Sequence, residues 1–116
     1  MKKFISVGIL LFPTQGDQKM WLEKWNTFYS PKAIEFLKKN GQINQKILFE
    51  KNTDQIRTIL IWEYESEEAF KKCQAFHSNW SKFESNFSSK NQFFRVEEIS
   101  SWLSFPKIMT KFVYVV

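Results

Sequence analysis

QINQKILFEKNTDQIRTILIWEYESEEAF, residues 42–70, contains two changes of pattern, and their order decides the fold. From Gln42 to Glu50, Ile43, Gln45, Ile47 and Phe49 alternate with Asn44, Lys46, Leu48 and Glu50, as in a strand with one better-buried face. Lys51-Asn52-Thr53-Asp54 is a polar turn. From Gln55 to Tyr64, Thr58, Leu60, Trp62 and Tyr64 oppose Arg57, Ile59, Ile61 and Glu63, and the two runs together predict an antiparallel hairpin. The period then lengthens. Ser66 supplies a capping hydroxyl and Glu67 and Glu68 put acids at the positive end of a helix dipole. Ala69, Phe70, Cys73, Phe76, His77, Trp80, Phe83 and Phe87 follow at helical spacing, with Ser78-Asn79 expected to break the helix and cap a short second one.

Upstream, MKKFISVGILLFPTQG offers a charged start and an apolar run, but no small-x-small cleavage site follows. A strand accounts for more of it. Ile5, Val7, Ile9 and Leu11 share one face, and Phe4, Ser6, Gly8, Leu10 and Phe12 the other. Pro13 to Gly16 turns the chain, Asp17 is the expected N-cap, and residues 17–40 read as a helix kinked or split at Ser30-Pro31 and ended by Asn40-Gly41. Downstream, 85–91 is a polar loop, 92–103 a fourth strand, and 111–116 an apolar tail beyond Pro106. The order β-α-β-β-α-β packs two split halves into a four-stranded antiparallel sheet with its helices on one face. Nothing remains to cover the other face, and an exposed apolar face of that size marks an interface. The expectation is one domain over 1–116 that forms a homodimer, with 106–116 as a tail strand exchanged between subunits or extending the sheet.

Composition excludes several function classes. The 116 residues suit a single domain, domains most often holding ~100–150. No apolar run approaches the ~20 residues of a membrane span, so no membrane partner is expected. The net charge of +5 suggests nucleic acid, yet only Arg57 and Arg95 are arginines and the paired lysines alternate with Glu as on a solvated surface. No nucleic-acid partner is expected. One cysteine, Cys73, excludes an intrachain disulfide and fits a reducing, cytoplasmic setting.

Residues 62–73, Trp62-Glu63-Tyr64-Glu65-Ser66-Glu67-Glu68-Ala69-Phe70-Lys71-Lys72-Cys73, resemble the strand-to-helix signature of the dimeric α+β barrel superfamily, in particular its antibiotic-biosynthesis-monooxygenase-like and NIPSNAP-like members. Tyr64, Ser66, Ala69 and Phe70 fit the pattern, and Trp62-x-Tyr64-x-Ser66 is especially similar to the NIPSNAP-type form. Ser78-Asn79-Trp80 with Phe83 resembles the break-and-resume helix of the monooxygenase-like group. The resemblance implies an α+β, ferredoxin-like β-α-β-β-α-β sandwich that pairs into a dimeric α+β barrel, with a cavity between sheet and helices. It also implies a cofactor-independent monooxygenase-like activity on an aromatic or polyketide-like molecule. Three departures weigh against carrying a family active site across. Members often place Glu where Trp62 stands and His where Cys73 stands, and the first strand lacks the Asn of the haem-degrading branch.

Few residues can carry chemistry. His77, the only histidine, lies one helical turn from Cys73. The pair is either a thiolate–imidazole dyad or a buried Cys beside a helix-edge His. A zinc site would need further Cys or His ligands, and there are none, so neither metal nor cofactor is expected. Trp62, Tyr64, Phe76 and Trp80 are either core filling or the walls of a pocket for a flat apolar ligand, with Tyr64, His77 and Arg95 as polar contacts and Cys73 beside them. Trp21 and Trp25, one helical turn apart, are either a pocket lid or core, with core favoured, and the adjacent Glu97 and Glu98 of the fourth strand point to opposite faces. Two functions follow. One is an oxygenase in which His77 is the near-neutral base. The other is a non-catalytic dimeric module binding a small apolar ligand or a protein partner.

Overall fold

Residues 3–51, 54–84, 86–87 and 90–102 are described by a computed structural model. Its elements are β1 (Phe4–Phe12), α1 (Gln15–Phe28), α2 (Pro31–Lys39), β2 (Gln42–Phe49), β3 (Ile56–Tyr64), α3 (Glu67–Glu84) and β4 (Lys90–Val96). The four strands form an antiparallel sheet in the order β2-β3-β1-β4. β1 is central because it is apolar on both faces. Its Phe4, Ser6, Gly8, Leu10 and Phe12 look toward the helices, and Ile5, Val7, Ile9 and Leu11 look away.

Short-range chemistry sets the helix ends. Thr14, not Asp17, caps α1: its Oγ1 accepts from the Asp17 N–H at 3.0 Å, so the cap lies three residues earlier than expected. Ser30 caps α2 in the same way, accepting from the Ala33 N–H at 3.3 Å with Pro31 following, and the expected split becomes two separate helices. Gly41 takes φ 99°, a left-handed conformation that glycine adopts freely. Its carbonyl accepts from the Glu65 N–H at 2.9 Å, joining the end of α2 to the start of α3.

Three expectations are corrected. α3 runs unbroken through Ser78-Asn79 because the Ser78 hydroxyl turns back to the Gln74 carbonyl at 2.9 Å instead of capping a new turn. β4 spans Lys90–Val96 rather than 92–103, so Glu97 and Glu98 lie beyond the strand. In β2 a bulge between Gln42 and Asn44 expels Ile43, which is 48% exposed, and places Gln42 with Gln45 and Ile47 on the helix face. The tail 106–116 lies outside the described residues.

The core between sheet and helices is built on Leu10, Trp21, Leu37, Leu60, Tyr64 and Cys73, with Trp25, Tyr29, Trp62 and Trp80 around them. Aromatic rings dominate because each buries far more apolar area than an aliphatic side chain. On the opposite face, Val7, Ile9, Ile59 and Ile61 line the middle of the sheet, flanked by the exposed Leu48 and Phe94. No described helix covers that face.

Gly41 allows a direct check. A Cβ there would stand 2.5 Å from the Ala69 Cβ, on a backbone that an L side chain rarely adopts. Gly41→Ala is expected to destabilise the chain by about 1–3 kcal/mol in denaturant unfolding. An unchanged midpoint would mean that the α2–α3 junction is not held as described.

Candidate functional site

A row of three residues crosses the sheet, since Trp62 of β3 and Arg95 of β4 both pair with Ser6 of β1. Above this row Phe70, Gln74, His77, Ser78 and Ser81 project from one side of α3, at the three- and four-residue spacing of a helix face. Together with Phe93 they line a half-open cavity of about 170 Å³ between sheet and helix. Phe93 reaches over the sheet because its partner in register is Gly8, where a Cβ would come within 2.8 Å of the ring.

Arg95 carries the only formal charge among the cavity's lining residues. Its Nη1 donates to Ser6 Oγ at 3.1 Å, and its guanidinium lies over the Phe70 ring, 4.2 Å from the centroid. Trp62 forms the floor, its indole parallel to the His77 imidazole at 4.5 Å and to Trp25 at 6.1 Å. The Trp62 Nε1 and the Gln45 Nε2 on the neighbouring strand are buried donors that find no acceptor among the described residues. Such donors cost the fold about 1–3 kcal/mol each.

His77 is tied down at both nitrogens. Nδ1 lies 2.7 Å from the Tyr29 hydroxyl, and Nε2 lies 3.2 Å from the side-chain amide of Gln42, which also reaches the Tyr64 hydroxyl at 3.2 Å. Two proton arrangements complete this chain. In one, Gln42 N–H donates to His77 Nε2 and Nδ1–H donates to Tyr29. In the other, the Gln42 amide is turned, Nε2–H donates to its oxygen, and Tyr29 O–H donates to Nδ1. Burial lowers the imidazole pKa to about 4, so His77 is neutral near pH 7. Burial likewise pushes the phenols of Tyr29 and Tyr64 above their ordinary range.

A second buried polar group lies deeper. Glu84 Oε2 accepts from Trp21 Nε1 at 3.1 Å and from Trp80 Nε1 at 2.7 Å. Burial raises the Glu84 pKa against the lowering effect of those two donors.

Of the residues singled out in the sequence, Trp62, His77 and Arg95 meet at the cavity. The other four stand behind its lining. Tyr64 is fully buried between Phe4, Phe70 and the Gln42 amide. The Cys73 sulfur points to α2, 3.9 Å from the carbonyls of Leu37 and Asn40, and burial raises its thiol pKa. Phe76 packs on Phe28, Tyr29 and Phe36, and Trp80 on Trp21, Trp25 and Glu84. Among the described residues no three His, Cys, Asp or Glu side chains are grouped to hold a metal. Sequence reading passed over Ser6, Phe70, Gln74 and Phe93. Ser6 was visible as the one polar side chain on an otherwise apolar β1 face.

No known family's profile matches the chain, and no curated protein matches it in sequence. Its shape is well represented among solved structures. A dimeric ferredoxin-like protein from an uncultured marine organism superposes with a TM-score of 0.81 at 20% identity, over 90% of this chain and 95% of that one. The fold is ferredoxin-like. A putative antibiotic biosynthesis monooxygenase from Bacillus cereus is similar at a TM-score of 0.67 and 17% identity, over 90% of this chain and 100% of that one. A monooxygenase of Streptomyces coelicolor, solved with the ligand nanaomycin D, follows at 0.66 and 13%, over 90% and 94%.

The Tyr29–His77–Gln42 chain predicts a pH effect. A histidine that titrates at about 4 when folded and near 6.5 when unfolded gives stability that is complete above pH 6.5. That stability is lost as pH falls from 6.5 to 4, by about 3 kcal/mol in all. Glu84, with its raised pKa, works in the opposite sense but is common to wild type and variant. The stability advantage of wild type over His77→Gln should therefore shrink between pH 6.5 and 4 in urea unfolding. Parallel profiles would exclude a neutral, buried His77.

Proposed function

We propose that this chain works as a homodimer whose sheet–helix cavity binds a small, flat aromatic molecule. The observation that carries the reading is the cavity itself, a space with aromatic walls from Trp62, Phe70 and Phe93 and a ring of polar groups from Ser6, Gln74 and Arg95. Small-molecule sites have this character: mostly apolar walls with a few placed polar groups that set orientation. The apolar sheet face opposite the helices supplies a dimer surface, and the similar protein from an uncultured marine organism is itself described as dimeric. No described helix is long and apolar enough to cross a membrane, and the buried thiol of Cys73 suits a reducing cytoplasm.

A second reading is a cofactor-independent monooxygenase acting on the bound molecule. It is favoured by the neutral imidazole of His77 at the cavity wall and by the likeness to structures described as monooxygenases. A phenol deprotonated in a site of low polarity can itself reduce oxygen, giving quinone and water. His77 would take the proton, and to do so one of its nitrogens must leave Tyr29 or Gln42. Consumption of oxygen with a bound phenol, lost in His77→Ala, would establish the oxygenase. Binding without oxygen uptake would leave a binding module.

Native mass spectrometry tests the first reading on subunit count and on retained small-molecule mass. Wild type should be a dimer. Phe94, 46% exposed and paired with Val7 at the middle of the open face, is the place to break it. Phe94→Glu should weaken the dimer at least about tenfold while the protomer stays folded, because a charge in an apolar interface is left without a partner. A wild-type monomer would overturn the dimer reading.

A further inference from the structure

We infer that the cavity ligand is a small aromatic acid, a single ring whose anionic oxygens are held by Arg95. The inference rests on the binding reading above and adds the ligand's charge and size. Size comes from the volume. A cavity of about 170 Å³ is well below the roughly 300–1,000 Å³ that drug-sized ligands occupy, and close to the ~150 Å³ known to admit benzene.

Charge comes from how Arg95 is held. Phe70 lies under the guanidinium plane and Ser6 accepts from one Nη, so the side chain is oriented before any ligand arrives. A guanidinium offers five N–H donors in a fixed fork. Among the described residues no carboxylate pairs with Arg95, and none lines the cavity. Arg95 also borders the adjoining groove that Glu67, Glu97 and Lys3 line, without an ion pair to either carboxylate. An oriented, unpaired guanidinium beside aromatic walls is matched by a planar anion whose carboxylate accepts two parallel N–H bonds while its ring meets Trp62 and Phe93. Ser78, Ser81 and Gln74 on α3 line the same cavity with uncharged hydrogen-bonding groups, and His77 carries no charge there.

The test is the affinity of the wild-type dimer for benzoate, benzamide and benzylamine at fixed ionic strength, followed through the Trp62 indole N–H signal in NMR. Benzoate should bind about tenfold more tightly than benzamide, the usual worth of a charge-assisted hydrogen bond over a neutral one. Arg95→Gln should remove that preference by weakening benzoate binding far more than benzamide binding, and Arg95→Lys should keep part of it. Equal affinities in wild type, preference for benzylamine, or a preference that survives Arg95→Gln would overturn the charge inference while the cavity stands. If none of the three molecules moves the Trp62 signal, the cavity reading falls with it.

Discussion

The hydrogen-bonded chain Tyr29–His77–Gln42–Tyr64 ties the end of α1, the middle of α3, the start of β2 and the end of β3 at one point in the core. It exists because of one extra residue. The bulge at Ile43 turns Gln42 inward; without it, strict alternation would put the Gln42 amide on the far side of the sheet and leave His77 Nε2 facing apolar rings. A buried imidazole short of one partner costs more than its remaining hydrogen bond returns, so the bulge and the histidine depend on each other. The same chain holds His77 flat against Trp62, and Trp62 is the cavity floor. A local irregularity in an edge strand thus decides the shape of a site on the other side of β3.

The aromatic core does related work from below. Trp25 and His77 both lie parallel to Trp62, and Trp80 meets Trp25 edge-on while donating its own N–H to Glu84. Rings in such contacts have few alternative rotamers at native packing density, so the floor cannot give way when a ligand enters. Adaptation falls to Phe93, on the edge strand β4 and 43% exposed, while Arg95 on the same strand is steadied by Ser6 and Phe70. The cavity therefore has one stiff floor and one yielding ring at its edge.

Much of this was legible in the sequence, and the failures share a cause. The hairpin, the split at Ser30-Pro31, the acidic start of α3 and the two-faced β1 are local patterns, and each was found where the spacing put it. Ile43 fits perfect alternation, so nothing in residues 42–50 signals the bulge; the reason for it sits on α3, in His77. Ser78 resembles a cap until its hydroxyl is seen bonded one turn back. The site was half legible for the same reason. Trp62, His77 and Arg95 stand out by residue type, whereas Ser6, Gln74 and Phe93 are ordinary residues that matter only because register and helix phase bring them together.

Arg95 and His77 also bear on whether this fold performs chemistry. A base must offer a lone pair to the cavity, and both nitrogens of His77 are committed: if it turned, the buried Tyr29 hydroxyl would lose this partner and Gln42 would keep only Tyr64. Its lowered pKa makes it a weak base as well, able to hold a proton near pH 7 only if a bound anion stabilises the imidazolium. An anion held by Arg95 would supply that stabilisation, since a negative charge brought into a site of low polarity raises a neighbouring imidazole pKa. Binding and proton transfer are then linked in this site: a neutral ligand leaves His77 locked in its hydrogen-bonded chain, and an acidic one lowers the free energy needed to recruit it. Under the proposed mode of binding, the cavity would hold neutral rings passively and would recruit His77 as a proton acceptor only for anionic ones.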